Sequence, residues 1–295
     1  MFGVWPSLSK LALNAMHPIA LSFYVQLLPA ILLLPFIRRH RPARRDWRLI
    51  IGTALAGAVS GPIIYFYGLE RSTASNSVLL SNSEALFTMV FAYALLRERT
   101  SRRGYVALLG IAVGAFFVAT QLRFGDVRFL EFLLGNVLLV AAAACWALSN
   151  TGSTVLLRRI PIVPLLAFQL LIGSSVLFPI VMASGVPLDV PASVLPVLLT
   201  LSLTAVVVFS VLFFYAFRTI GAMRTGAVLP SSALWGVLLA VYLFPEQALN
   251  EWQILGGGLM VGSLVALYVF GEPRALRPRA DETLKPAASD GPDSP

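Results

Sequence analysis

Long apolar runs, separated only by short polar segments, dominate this chain of 295 residues. Two of them are 237–244 and 259–270, and charged residues make up only 12% of the sequence. Soluble domains carry roughly 25% charged residues because their surface must be hydrated, so most side chains here face lipid. Unpaired backbone amides are costly in hydrocarbon, which leaves helices and closed barrels as the only spanning structures. Barrel strands alternate apolar and polar residues, whereas these runs do not, and the sequence therefore predicts an all-α integral membrane protein.

Arginine, proline and glycine divide the apolar sequence into about ten segments of membrane-spanning length. We place the spans at 1–15, 18–37, 47–69, 75–96, 103–122, 132–156, 162–184, 193–217, 223–244 and 250–271. The first would rise only about 22 Å, against a hydrocarbon core of roughly 30 Å. Either the start codon is assigned too late or the first helix is truncated, and we favour the former. The tail 272–295 is rich in Pro, Ala, Asp and Ser and is expected to be disordered.

Basic residues are confined almost entirely to alternate loops of this map. Eighteen of the 22 lie in the segments 38–48, 97–103, 158–159 and 218–224 and in the tail. Lys and Arg concentrate in cytoplasmic loops, so we expect a multi-pass protein of the cell (inner) membrane with both termini in the cytoplasm. The net charge of +8 then reflects orientation in the bilayer. It does not indicate nucleic acid, because no basic stripe is interleaved with aromatic residues.

The two halves of the chain resemble each other. An ungapped offset of 148 residues aligns 66–114 with 214–262 and makes 12 of 49 positions identical, against roughly four expected by chance in so apolar a sequence. With five predicted spans in each half, 1–128 and 129–271, the second half must enter the membrane upside down. Inverted repeats are typical of secondary transporters, because mirror-related halves supply inward-open and outward-open states of similar energy.

Short motifs in both halves resemble those of a known family. They are Gly68-Leu69-Glu70, Ala74-Ser75-Asn76, the run 79–87, Leu95-Leu96-Arg97-Glu98 and Gly110-x-x-x-Gly114, followed by 229–234, Phe244-Pro245-Glu246 and Gly258-x-x-x-Gly262. In order and spacing, residues 1–271 resemble the EamA repeat of the drug/metabolite transporter superfamily. The resemblance implies ten transmembrane helices, arranged as two inverted five-helix repeats around a central cavity, in an exporter or exchanger of amino acids, metabolites or toxic compounds. Ala85, Ala233 and Pro245 depart from the residues usual in the family. These departures bear on how such a transporter would open and close more than on the resemblance to the family.

Glu84 is the most conspicuous polar residue of the spans. It lies about ten residues into span 4, where an ionisable side chain costs roughly 2.5–3.5 kcal/mol on insertion scales. Ser77, Ser81 and Thr88 share its face if the span is one helix, and Ser232 is its partner in the second repeat. One interpretation is a cavity wall that binds the solute or a proton. The other is a protonated side chain that holds neighbouring helices together.

A second polar stripe lies on span 6, where Trp146, Asn150 and Ser153 follow helical spacing. An offset of 141 residues aligns Trp5 and Ser9 of span 1 with Trp146 and Asn150. An indole N–H and an amide in mid-membrane both need hydrogen-bond partners. A wet cavity and a neighbouring helix can each supply them, and the sequence leaves the two interpretations open.

Other residues of the spans have mainly structural interpretations. Tyr67 and Tyr215 occupy matching positions in spans 3 and 8, where an interfacial anchor is favoured over a cavity gate. The motifs that begin at Gly110 and Gly258 predict close packing of helices. Lys10 is expected to extend its amine towards the membrane interface or to pair with a carboxylate.

These features favour a secondary transporter that moves a small organic solute by alternating access, as efflux or exchange. The sequence has no G-x-x-x-x-G-K-[ST] loop for ATP, so the energy is expected to come from gradients, with Glu84 a candidate for proton coupling. The expected partners are the solute and the lipid bilayer, with a homodimer left open; no cofactor, metal or nucleic acid is expected. The alternatives are a membrane-embedded enzyme, for which the sequence offers no paired catalytic groups, and a structural or sensory membrane protein.

Overall fold

The computed structural model describes residues 4–37, 40–96, 101–122, 129–219, 235–245 and 249–270, and within these ranges every regular element is helical. The helices are α1 (Trp5–Leu13), α2 (Pro18–Ile37), α3 (Trp47–Glu70), α4 (Ala74–Leu80), α5 (Ser83–Leu96), α6 (Arg102–Thr120), α7 (Phe129–Leu156), α8 (Ile162–Ser184), α9 (Leu195–Thr200, Leu201–Val208 and Phe209–Thr219 in succession), α10 (235–243) and α11 (Glu251–Phe270). Helices suit such apolar segments because every interior backbone group is bonded within its own segment.

Six of these helices, α2, α3, α6, α7, α8 and α9, are long and apolar enough to cross a membrane. The prediction of an all-α, multi-pass membrane protein is thereby confirmed. Most of the predicted ninth span, 223–244, and the tail 272–295 lie outside the described residues. We call the end of the bundle that carries the α2–α3 and α7–α8 connections the arginine-rich end. There, Arg159 donates to Asp46 Oδ1 at 3.2 Å and joins these two connections.

Predicted span 4 is two helices, because a turn at Ser81–Asn82 separates α4 from α5. Ser81 Oγ donates to Ser77 O at 2.6 Å, and Glu84 N donates to Ser81 O at 3.0 Å. Serine and asparagine offer local hydrogen bonds that compete with the helical ladder, and three such residues follow one another here. The predicted polar stripe from Ser77 to Thr88 is therefore wrong as a continuous helix face.

The first helix, α1, has nine residues and a length of about 14 Å, less than half of a hydrocarbon core. Lys10 fastens it to the rest of the bundle. Its Nζ donates to three backbone oxygens, those of Leu69 at 2.7 Å, Glu70 at 3.1 Å and Ser72 at 2.8 Å. They lie at the C-terminal end of α3, where unpaired carbonyls and the helix dipole favour a cation. The ammonium group of Lys10 therefore caps a helix at the end of predicted span 3, and no described carboxylate forms an ion pair with it. Its position at the membrane interface stays a prediction.

Replacing Lys10 with methionine is expected to lower the free energy of unfolding by about 2 kcal/mol, since three interhelical hydrogen bonds of about 0.6 kcal/mol each are lost. Unfolding in mixed micelles by titration with SDS would measure the change. Arg71→Met is the matched control, because Arg71 bonds Tyr67 O and the Glu70 side chain within its own segment. Equal losses in the two variants would contradict this role of Lys10.

A network of buried amides joins four segments at the opposite, arginine-poor end. Asn136 of α7 is fully buried, and its Oδ1 accepts from Ser72 Oγ at 2.5 Å and from Asn76 Nδ2 at 3.0 Å. Asn136 Nδ2 donates to Ala119 O at 2.8 Å. From α11, Gln253 Nε2 donates to Asn76 Oδ1 at 2.5 Å. Satisfied networks of this kind fix the relative positions of helices, because an unpaired buried amide is costly.

Glycines let α6 and α11 approach closely. A Cβ atom added to Gly114 would lie 2.6 Å from Gly256 O, and one added to Gly256 would lie 2.6 Å from Gly114 O. The prediction of close packing is confirmed for Gly114. The described residues do not reproduce it for the second motif, because Cβ atoms added to Gly258 and Gly262 would meet no described atom within 4 Å. Two residues correspond to about 200° of helical turn, so Gly258 faces away from the contact that Gly256 makes.

Candidate functional site

The carboxyl group of Glu84 lies inside the bundle and is hydrogen-bonded to another helix. Asn150 Nδ2 of α7 donates to Glu84 Oε1 at 2.7 Å. Many protein atoms surround the carboxyl group of Glu84, and both side chains keep some accessible surface. In the described part of the chain, no basic side chain forms an ion pair with Glu84. The structure thus brings together two of the residues predicted for the site.

The turn between α4 and α5 determines how Glu84 is presented. It places Glu84 in the first turn of α5, where unpaired N–H groups and the helix dipole favour a carboxylate. Beside it, Asn82 Nδ2 and Ser83 Oγ are buried and make no hydrogen bond within the described structure. A buried polar group without a partner costs about 1–3 kcal/mol.

Opposite this turn, α3 contains a π-helical segment, Leu55–Ser60. A π-helical turn shifts the backbone hydrogen bonds by one residue, and such turns are frequent at functional sites. Trp146 Nε1 of α7 donates to Gly57 O in this segment at 3.2 Å. The indole can lie this close because Gly61 has no Cβ atom. A Cβ atom at that position would lie only 2.6 Å from Trp146 Nε1. The π-helical segment of α3, together with Gly57 and Gly61, therefore fixes the position of the Trp146 side chain.

Four side chains form what we call the aromatic cluster, namely Trp5, Tyr65, Phe66 and Trp146. The Tyr65 ring lies 5.2 Å from the Trp146 ring and 6.1 Å from the Trp5 ring, and the rings of Trp5 and Phe66 are 5.9 Å apart. Asn150 follows Trp146 by one helical turn, about 6 Å along α7. The aromatic cluster and the Glu84–Asn150 pair are thus adjacent parts of one site.

Hydroxyl groups of α1 and α4 surround the phenol of Tyr65. Ser77 Oγ donates to Tyr65 Oη at 2.9 Å. Trp5 Nε1 and Ser9 Oγ also face Tyr65, but they are buried without closing a hydrogen bond to any described group. Tyr65 therefore lies between Trp5 of α1 and Trp146 of α7, two residues that the 141-residue offset aligned in sequence.

Sequence reasoning missed Tyr65, whose side chain is only 1% exposed. It selected Tyr67 instead, which lies towards the arginine-poor end with its ring 5.8 Å from that of His17. A signal was available, because Gly57, Gly61 and Tyr65 recur every four residues and so lie on one face. The two glycines contact α7 closely, and Tyr65 extends that contact surface into the site.

The remaining predicted residues lie apart from this site or outside the described ranges. Thr88 is half-buried on α5, one turn beyond Glu84. Tyr215 is 59% exposed on α9, as an anchor facing lipid would be, and Ser232 lies outside the described residues. Within the described ranges, no group of three or more His, Cys, Asp or Glu side chains could hold a metal ion. The chemistry available at the site is therefore that of one carboxylate, neutral hydrogen-bonding groups and aromatic rings.

Comparison with known proteins gives a consistent result. The sequence matches the EamA-like transporter family over residues 1–120 and 133–269. An uncharacterized transporter of Methanothermobacter thermautotrophicus is 27% identical, over 92% of this chain and 84% of the relative. One of Archaeoglobus fulgidus is 25% identical, over 86% of this chain and 89% of the relative. A solved crystal structure, 17% identical in sequence, has a TM-score of 0.63 and covers 90% of this chain and 93% of its own, which shows a shared fold.

Proposed function

The chain belongs to the EamA-like transporter family, and from that membership we propose that it is a secondary transporter that moves a small organic solute by alternating access, as efflux or exchange. The named relatives are transporters, which points to a transporter rather than to a membrane-embedded enzyme. The proposed solute is an amino acid, a metabolite or a toxic compound. The proposed location is the cell membrane, with both termini in the cytoplasm.

Two inverted five-helix repeats are part of this proposal, and element boundaries support them. Moved by the 148-residue offset, the π-helical segment Leu55–Ser60 falls on 203–208, inside the π-helical segment Leu201–Val208. By the same offset, Gly61–Glu70 coincides to within one residue with Phe209–Thr219. Sequence and local backbone geometry therefore repeat together. An odd number of spans in each repeat would reverse the second one in the membrane.

The observation that carries the proposal is the hydrogen bond between Glu84 and Asn150. Glu84 belongs to the first proposed repeat, 1–128, and Asn150 to the second, 129–271. Transporters built from inverted repeats bind their solutes at the interface of the repeats, near the middle of the membrane, and often beside interrupted helices. An ionisable residue within a membrane protein commonly marks such a pathway. The Glu84–Asn150 pair joins the two proposed repeats and lies next to the turn at Ser81–Asn82, which supports a solute site there.

Proton coupling through Glu84 is the second element of the proposal. A carboxyl group that no described cation neutralises can alternate between a protonated and an ionised state as it faces the two sides of the membrane in turn. Of the described acidic residues, Glu84 alone lies within a predicted span and away from its ends. It is therefore the residue at which a proton gradient would be coupled to solute movement.

The proposed transport function can be tested by comparing all metabolites that cells release into the medium with and without the protein. Cells that express the chain are expected to release at least one small solute more strongly than cells with an empty vector, and proteoliposomes should then exchange that solute by counterflow. Reporter fusions at residues 98 and 246 should report opposite faces of the membrane. No protein-dependent exchange of any identified solute, or reporters on the same face, would overturn the proposal.

A further inference from the structure

We propose that the solute bound beside Glu84 is an organic ammonium ion, a protonated amine joined to an aromatic or apolar body. The proposal rests on the proposed transport function and adds to it the chemical class of the solute. It combines the charge of Glu84, the neutrality of its neighbours and the position of the aromatic cluster.

The charge at the site lacks a counterion within the described structure. Glu84 accepts a hydrogen bond from Asn150, which is a neutral donor. Lys10, the one described basic residue that lies within a predicted span and away from its ends, is committed to three backbone oxygens at the end of α3. An unpaired charge in a protein interior is strongly destabilising. A cationic solute would supply the missing charge, whereas an anionic solute would add a second negative one.

The aromatic cluster suits the rest of such a solute. Indole and phenol rings attract ammonium groups over their faces and stack against other rings. Trp146 lies one helical turn from Asn150 and is half-buried, and the buried ring of Tyr65 supports it from behind at 5.2 Å. An amine bound to the carboxylate would therefore place an attached ring near the indole of Trp146.

Three probes of almost equal size test the charge requirement, namely phenethylamine, 2-phenylethanol and 3-phenylpropionate. The full chain in lipid nanodiscs would be titrated with each, following the shift in thermal unfolding and the tryptophan fluorescence to which Trp5 and Trp146 contribute. Phenethylamine is expected to bind at least about tenfold more tightly than 2-phenylethanol, the equivalent of one modest ionic interaction. The propionate is expected to bind most weakly. In Glu84→Gln the preference for the amine should disappear, whereas Glu251→Gln, at an exposed carboxylate, should retain it.

The comparison of probes in the wild-type protein decides the question even if a variant fails to fold. Equal or tighter binding of the alcohol or the propionate would overturn the proposal, and so would a lack of binding by every amine tested. Counterflow of a solute without an amine would overturn the ammonium proposal and leave transport standing. A chain that exchanges no solute at all would instead overturn the transport function.

Discussion

A Glu84→Gln variant is expected to lose at least nine-tenths of the solute transport that a pH gradient drives, about a tenfold decrease. Glutamine matches glutamate in size, and its Oε1 can still accept the hydrogen bond from Asn150 Nδ2. The packing of α5 against α7 is therefore preserved, while the titratable proton and the negative charge are removed. Proteoliposomes with an acidic exterior or interior, loaded with the exchanged solute, would measure the rate in each direction.

The same measurement distinguishes coupling from a structural role. Wild-type transport should follow the direction of the pH gradient, and the residual transport in Glu84→Gln should not. Glu251→Gln removes an exposed carboxylate from the first turn of α11 and should leave the pH dependence unchanged. If Glu84→Gln retained the pH dependence of the wild type, Glu84 would not be the coupling residue.

Replacing Gly256 with leucine is expected to lower the free energy of unfolding by about 3 kcal/mol, the upper end of the cost of overpacking. The first atom of the new side chain would already overlap Gly114 O, and it would lie 2.9 Å from Phe117 Cβ. A backbone oxygen cannot rotate away as a side chain can, so α6 and α11 would have to separate. SDS titration and the yield of monodisperse protein would measure the effect.

Gly258→Leu is the matched control for this prediction. It adds the same side chain two residues further along α11, where a Cβ atom would meet nothing within 4 Å. That variant should unfold within about 0.5 kcal/mol of the wild type, as is usual for changes at accessible positions. Similar losses in both variants would mean that leucine disturbs α11 itself and that the Gly114–Gly256 contact is not the cause.

Hydrophobicity and helical periodicity were sufficient to predict most of the helices and to select Glu84 and Asn150 as candidate site residues, although not the contact between them. Both residues are polar in apolar surroundings, and such residues in adjacent spans tend to meet because neither is stable in lipid. The same logic identified Trp146, Trp5 and Ser9. In each case the signal was a polar group within an apolar segment, because such a group is costly in lipid unless it has a hydrogen-bond partner.

Features that depend on local backbone geometry could not be predicted in this way. The turn at Ser81–Asn82 replaces a helix that hydrophobicity alone would continue, because hydropathy does not account for competition by side-chain hydrogen bonds. Gly256 was missed because the spacing of Gly258 and Gly262 matched a familiar motif, although the contact face depends on how α11 is rotated. The hydrogen bonds of Lys10 could not be predicted because backbone oxygens, its partners, leave no trace in a sequence.

The π-helical segments have a mechanical consequence for both halves of the chain. Such a segment accommodates one extra residue within a turn. If Leu55–Ser60 tightened into ordinary α-helical geometry, the following Gly61–Glu70 would rotate by about 100° around its own axis. Tyr65 would then turn away from Trp146 while the first half of α3 stayed fixed. The corresponding segment Leu201–Val208 gives α9 the same capacity. Each half of the chain therefore contains a helix in which one part can rotate relative to the other while the backbone stays hydrogen-bonded.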